Sequence, residues 1–325
     1  MRILVTGAQG CIGAWVVKAL AERGMEVASY DTDPDPARLR MIAPPELVRR
    51  VAREAGSIED TARLKALVRE GGITHIVHLA AVLMPFCQAQ PVAGAVVNVI
   101  GTLNVFEAAR DAGRPVRVAY ASSAAVWGPE EAYGGGRLTE DDPLKPSTHY
   151  GVFKQANEGN ARAFFASDGI SSVGLRPWTV FGVGRDRGLT ADPSLALRAA
   201  VLGQPYQIRV SGKMNMQYVE DVAETFVRCL LAPLEGAWVF NLGGDIVEMD
   251  AFVRILERLR PEAAGLVTAR GPQVPVAWAM DDTQLHAHVP DIPHTPLEEG
   301  MRKTLELFEA LRRRGALAAN VSKHT

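Results

Sequence analysis

A doubly wound parallel α/β sheet followed by a smaller α/β portion is the fold predicted by this 325-residue sequence, and three observations predict it. Short apolar runs alternate with helical stretches through the first half, the strand, helix, strand rhythm of a parallel sheet covered on both faces. The first run turns into the first helix through three glycines, Gly7, Gly10 and Gly13. After Arg176-Pro177 the rhythm breaks into shorter, less regular pieces.

Strands are predicted at residues 3–6, 27–30, 47–51, 76–79, 116–121 and 173–175, separated by helices at 12–23, 61–70, 92–111 and 150–166. Gly24 and Gly113 stand where C-terminal caps of two of these helices belong. A helix at 194–202, a strand at 206–210, a helix at 219–231, a strand at 238–242 and helices at 250–259 and 297–313 follow. Thr295-Pro296-Leu297-Glu298 reads as a capping box with proline at the first helical position. The expected organisation is a dinucleotide-binding unit, 1–175 with 215–248 returning to it, and a substrate-binding portion, 176–214 and 249–313. The tail, 314–325, has no periodic apolar face and is expected to be flexible.

The glycines carry chemistry as well as geometry. A strand ending in them lets the backbone turn tightly and lets a diphosphate approach without a Cβ in the way, facing the positive end of the next helix. The spacing G-x-x-G-x-x-G is one residue wider at its first step than the standard dinucleotide fingerprint. The run Glu26-Val27-Ala28-Ser29-Tyr30 ends in Asp31, the distance at which a carboxylate accepts from adenosine ribose hydroxyls. An acid there repels the extra phosphate of NADP, so the pattern favours NAD.

Composition excludes several classes. A net charge of −2 argues against nucleic acid or an anionic membrane surface as partner. No signal peptide is visible and no apolar stretch reaches the roughly 18 residues of a membrane span. Cys11, Cys87 and Cys229 lack a C-x-x-C pairing, as expected of a cytoplasmic protein without a structural metal. His75 and His78 fall on opposite faces of one strand, and His286 and His288 lack companion ligands, so no metal site is expected.

Tyr150 and Lys154 stand one helical turn apart on one helix face. A phenol with a reference pKa near 10 becomes a usable base when a cation favours its ionised form, and the expectation is that Lys154 lowers it. Ser122 and Ser123 follow the strand at 116–121, at the edge of a parallel sheet where ligands bind. A hydroxyl there can hold a substrate oxygen.

These residues resemble the extended short-chain dehydrogenases/reductases, also called the NAD-dependent epimerase/dehydratase family, over roughly residues 1 to 305. Thr6-Gly7-Ala8-Gln9-Gly10-Cys11-Ile12-Gly13 is similar to the family's cofactor loop, and His78-Leu79-Ala80-Ala81 to its fourth-strand motif. The segment from Ser122 to Gly128 is similar to its serine segment, and Tyr150 with Lys154 to its catalytic pair. Leu175-Arg176-Pro177, Val180-Phe181-Gly182, Arg185 and Tyr218-Val219-Glu220-Asp221-Val222 match the segments that follow. The resemblance implies a Rossmann-like fold, Ser123, Tyr150 and Lys154 as catalytic residues, and cofactor contacts from Gly7, Gly10, Cys11, Ile12, Gly13 and Asp31. It implies further cofactor contacts from Ser57, Ile58, Leu79, Ala80, Ala81, Asn98, Tyr150, Lys154 and Pro177. Substrate contacts are implied from Ser122, Ser123, Ala124, Thr179, Arg185 and Asn215, with Arg176 either a contact or a structural ion-pair partner. A homodimer through the helices at 92–111 and 150–166 is also implied, using Ala95, Val99, Leu103, Phe106 and Phe164.

Departures from the family pattern bear on the substrate. Thr179 replaces an asparagine usual in members acting on nucleotide-diphosphate sugars. An arginine usual before the return strand is missing from Lys213-Met214-Asn215-Met216-Gln217, and a later one is missing from 271–276. Such cations would clamp a diphosphate through charge-assisted contacts. Ala124-Ala125 stands where the dehydratases carry an acidic pair, and Ser57 replaces an acid that commonly contacts adenine. The expectation is an NAD-dependent oxidation of a secondary alcohol or hemiacetal carbon in a small non-nucleotide sugar, sugar acid or polyol. An epimerase that recycles NAD, and a catalytically silent NAD-sensing module, are the alternatives.

Overall fold

The structure is a computed structural model that describes residues 1–317; residues 318–325 of the expected tail lie outside it. The strands are β1 (Arg2–Thr6), β2 (Glu26–Asp31), β3 (Ala52–Ala55), β4 (His75–His78), β5 (Arg117–Ala121) and β6 (Ser172–Arg176). They continue as β7 (Thr179–Phe181), β8 (Tyr206–Ile208), β9 (Lys213–Tyr218), β10 (Ala237–Asn241), β11 (Asp245–Glu248) and β12 (Val267–Ala269). Among the described residues, the main sheet runs β10-β6-β5-β4-β1-β2-β3 and every neighbouring pair is parallel. Chain direction across the sheet reverses at β1, and ligand crevices of such sheets open at this switch point. A smaller sheet, β11-β9-β7, and the pair β12-β8 belong to the second half.

Helices α1 (Cys11–Glu22), α2 (Ala37–Ile42), α3 (Pro45–Arg50), α4 (Thr61–Glu70) and α5 (Met84–Ala89) lie in the first half. A long helix is divided into α6 (Pro91–Ala95) and α7 (Gly101–Arg110) by a π turn at Val96–Ile100, and α8 (His149–Asp168) follows. The remainder are α9 (Asp192–Leu202), α10 (Val219–Leu231), α11 (Met249–Leu259), α12 (Thr283–His288) and α13 (Leu297–Arg313). Alternation within strands loads both faces of the sheet. Ile3, Val5, Val77 and Ala119 enter one core, which α1 and α10 cover, while Leu4, Ile76, Val118 and Tyr120 enter the other beneath α4 and α7.

Several expectations are corrected. Residues 47–51, read as a strand, lie largely in α3, because Pro45 opens a helix with Glu46 in its first turn and Arg49 and Arg50 in its last. The strand that follows, β3, lies at the sheet edge with mostly exposed side chains, so it lacks an apolar signature. The capping box at Thr295 is absent. The Thr295 hydroxyl donates to Asp221 at 3.0 Å, Pro296 is the N-cap residue, and Asp245 takes the Leu297 amide. The helix over Pro91–Arg110 is long and apolar enough by composition to cross a membrane, contrary to expectation, yet half of its apolar window is buried inside the protein.

Candidate active site

At the switch point β1 turns into α1 through the glycine loop. Gly7 adopts φ +68°, and a Cβ there would stand 2.5 Å from the Ala80 nitrogen. One on Gly13 would stand 2.2 Å from the Gly7 carbonyl oxygen. These two glycines therefore set the close approach of loop, helix and β4 segment. Gly10 differs, since its Cβ would meet only the Gly7 oxygen, at 3.1 Å. Gly10 is also the N-cap of α1 and supplies no side-chain cap, so the amide donors of a twelve-residue helix face the cleft. Asp31 ends β2 and accepts from the Gln9 amide at 2.9 Å, fixing the loop to the strand. The residues present fit a dinucleotide: a diphosphate against Gly10 and the start of α1, a ribose at Asp31.

The cleft above this loop has a volume of about 730 Å³, within the range of small-molecule sites. Gly7, Gly10, Cys11, Ile12, Gly13, Asp31, Ser57, Ile58, Leu79, Ala80, Ala81 and Pro177 line it. Ser122, Ser123, Ala124, Tyr150, Lys154 and Arg185 line it too. The structure thus brings most of the expected site residues to one cavity. Burial pushes the Cys11 thiol up to about 12, so it is a neutral wall of the cofactor loop.

Tyr150 and Lys154 reach the cleft from the first turns of α8, whose start is capped by Thr148 accepting from the Gly151 amide. Gly151 allows that end to touch the serine segment, for a Cβ there would lie 2.1 Å from the Ala125 oxygen. The Ser123 hydroxyl accepts from the Ala125 amide at 3.1 Å and lines the cleft with Tyr150. Burial pushes the Tyr150 phenol up, opposed by the Ser123 hydroxyl and the Arg185 guanidinium. The expected acidification by Lys154 is not seen. Its ammonium lies 5.5 Å from the centroid of the Tyr150 ring and donates instead to the Ala121 carbonyl at 2.7 Å. Burial brings Lys154 itself down to about 8.

Behind the cleft runs a buried chain of hydrogen bonds. Thr6 Oγ1 meets His78 Nδ1 at 2.7 Å, and His78 Nε2 meets Thr102 Oγ1 at 3.0 Å. Thr102 gives its one hydroxyl hydrogen to the Asn98 carbonyl, at 2.7 Å, so it accepts from His78 Nε2–H and leaves Nδ1 to accept from Thr6. That carbonyl, freed by the π turn, also accepts from Asn157 Nδ2 of α8 at 2.9 Å.

Four expected contacts lie elsewhere. The Asn98 side chain is buried outside the cleft and donates to the Val82 carbonyl, so it positions rather than touches. Thr179 is fully buried on β7, where alternation turns its neighbours Trp178 and Val180, not itself, to the cleft. Asn215 donates to the Trp278 carbonyl at 3.0 Å and does not line the cleft. Arg176 is the structural partner of Glu158, and the Ser122 hydroxyl is likewise spent on Glu158, at 2.6 Å. Sequence reasoning missed Arg38, which donates to the Gly184 and Gln9 carbonyls and to Asp186. It also missed the apolar wall of Leu83, Phe86, Trp178 and Val276. Neither carries a local motif, although the apolar stretch after Ala81 was visible. Among the described residues no group of three or more His, Cys, Asp or Glu gathers as a metal site.

A parallel sheet with a glycine cradle at its switch point, and Ser123, Tyr150 and Lys154 beside it, defines an NAD-dependent oxidoreductase of the extended short-chain dehydrogenase/reductase type. The chain belongs to the NAD-dependent epimerase/dehydratase family, whose model matches residues 3–243. It is 29% identical over 322 residues to a UDP-glucose 4-epimerase of Mycolicibacterium smegmatis, covering 95% of this chain and 98% of that one. Among solved structures it is similar to the Thermus thermophilus UDP-glucose 4-epimerase in complex with NAD, with TM-score 0.79, 27% identity and coverage of 95% and 99%. It is also similar to a GalE-like L-threonine dehydrogenase from Cupriavidus necator, with TM-score 0.81, 25% identity and coverage of 94% and 99%.

Proposed function

We propose that this enzyme is an NAD-dependent dehydrogenase oxidising a secondary alcohol or hemiacetal carbon of a small non-nucleotide sugar, sugar acid or polyol. The observation that carries this reading is the far end of the cleft. Trp178, Val274 and Val276 form an apolar wall there, and two cations of that half are engaged elsewhere, Arg209 with the buried Asp192 and Lys213 over the Trp278 ring, which leaves Arg185 and Arg187 as the cations of that half lining the cleft. A nucleotide diphosphate needs charge-assisted partners that this wall lacks.

Tyr150 takes the hydroxyl proton, Ser123 orients the reacting oxygen, and Lys154, held on the Ala121 carbonyl beside the phenol, would hold the nicotinamide ribose. When bound, NAD accepts the hydride and brings a cationic ring that adds to the pull of Ser123 and Arg185 on the phenol. The protein contributes position and a dry, preorganised setting. The enzyme acts in the cytoplasm on a small molecule and binds no nucleic acid.

A second reading, epimerisation with NAD retained, is favoured by the two UDP-glucose 4-epimerases that this chain is similar to. Incubating the enzyme with NAD and panels of sugars, sugar acids, polyols and UDP-sugars separates the two. Net NADH formation on a small substrate supports the dehydrogenase. Isomer interconversion of a UDP-sugar without net NADH overturns it.

The assembly proposed is a homodimer through α6, α7 and α8. Val92, Ile100 and Val152 are exposed on those helices, while Ala95, Val99, Leu103 and Phe164 are half-buried. Phe106 is fully buried and stacks on Phe164, so it belongs to the core and not to the surface. Sedimentation at micromolar concentration should give a dimer; monomer alone would rule it out.

A further inference from the structure

Arg185 stands in the cleft with Ser123, Tyr150 and Thr190, and its charge is not answered by the protein. Its Nη2 donates to Thr190 Oγ1 at 3.2 Å, its Nε is buried without a partner, and among the described residues no carboxylate lies within ion-pair distance of it. The nearest acid in sequence, Asp186, is held by Arg38 at 2.7 Å. Arg38 also grips the Gly184 and Gln9 carbonyls, so its guanidinium is fully committed to tying the loop after β7 to the cofactor loop. Gly188 keeps room for the free guanidinium: at φ +97°, a Cβ there would lie 3.4 Å from Arg185 Nη2 and 2.8 Å from Leu83 Cδ1.

A guanidinium remains charged at any working pH. Half-buried in a cleft that Leu83, Phe86 and Val276 also line, it has no carboxylate among the described residues to pair with, so its remaining donors are left for an anion that enters the cleft. A single planar fork matches one carboxylate in bidentate geometry. The diphosphate of the dinucleotide has its own donors at the start of α1, and Arg187, the next cation, sits exposed at the rim.

Resting on the function proposed above, we infer that Arg185 receives the carboxylate of the substrate, and that the enzyme selects sugar acids over neutral sugars and polyols. In the reaction the carbinol C–H electron pair passes to the dinucleotide, which is reduced, and the O–H proton passes to Tyr150. The carbinol becomes a carbonyl while the carboxylate stays unchanged on Arg185.

The test compares kcat/KM for an aldonic or uronic acid with that for its neutral alcohol counterpart and for the corresponding sugar phosphate, in wild type, Arg185→Met and Arg185→Lys, with NAD Kd measured on each. The wild type should prefer the acid, and Arg185→Met should shrink the acid-to-neutral ratio by about 10- to 100-fold, the worth of a hydrogen-bonded charge. Arg185→Lys should restore part of that ratio, with NAD Kd changed less than about threefold. Equal loss on acid and neutral substrates, a parallel loss of NAD affinity, or preference for the phosphate would overturn the inference while leaving the dehydrogenase reading intact. No NADH from any small substrate would overturn both.

Discussion

Arg176 on β6 holds Glu158 on α8 through two hydrogen bonds, at 2.9 Å from Nε and 2.8 Å from Nη2, with both side chains almost wholly buried. Glu158 is one turn beyond Lys154, so this pair anchors α8 to the sheet from behind. Its guanidinium also stacks on Trp127. The arginine that the sequence offers as a substrate contact is therefore a beam of the scaffold.

Removing one member should leave the other charge buried and alone, which costs about 3–5 kcal/mol. Arg176→Met is expected to lower stability by that amount in denaturant unfolding. KM of the surviving folded enzyme should change little. A large KM rise with unaltered stability would return Arg176 to the substrate.

His78 makes stability depend on pH. Burial, with Lys154 nearby, brings its imidazole down to about 3 from an ordinary 6.5. Between those values the unfolded chain binds the proton and the folded one does not, so stability rises with pH and is lost as pH falls below 6.5. From pH 7 to pH 5 this one group should cost about 2 kcal/mol. Chemical unfolding across that window should show the slope in wild type, and His78→Gln, whatever its absolute stability, should flatten it by about one proton.

The glycines of the loop should separate by role. Gly13→Ala forces a methyl onto backbone atoms at 2.2 and 2.9 Å and is expected to destabilise the fold by about 1–3 kcal/mol. Gly10→Ala meets one oxygen at 3.1 Å, so the fold should hold while NAD affinity falls about tenfold or more, about 1.4 kcal/mol. Thermal unfolding and calorimetric titration with NAD read the two effects independently.

What was legible in the sequence is what depends on short spacing. The glycine loop, Asp31, and the Tyr150 and Lys154 pair are each set within one strand-to-helix turn, one βαβ unit or one helical turn, and the folded chain gathers them at one cleft. Thr179 and Asn215 failed because β7 and β9 are short strands whose facing is decided by the partners they pair with, information absent from either segment alone. Arg38 was invisible for a related reason: its partners lie at positions 9, 184 and 186. The acidifying role given to Lys154 followed from helical spacing, but a shared face does not fix where a flexible ammonium ends. Here it ends on the Ala121 carbonyl.

On the function proposed, the Tyr150 phenol is the proton acceptor of an NAD-linked alcohol oxidation. Once a turned-over substrate is in hand, the most direct test is Tyr150→Phe, with NADH formation and NAD Kd measured on the same preparation. Turnover should fall by about a hundredfold to ten-thousandfold, the share of a positioned general base, with NAD Kd within a few-fold of wild type. Turnover close to wild type in that variant would remove Tyr150 as the proton acceptor.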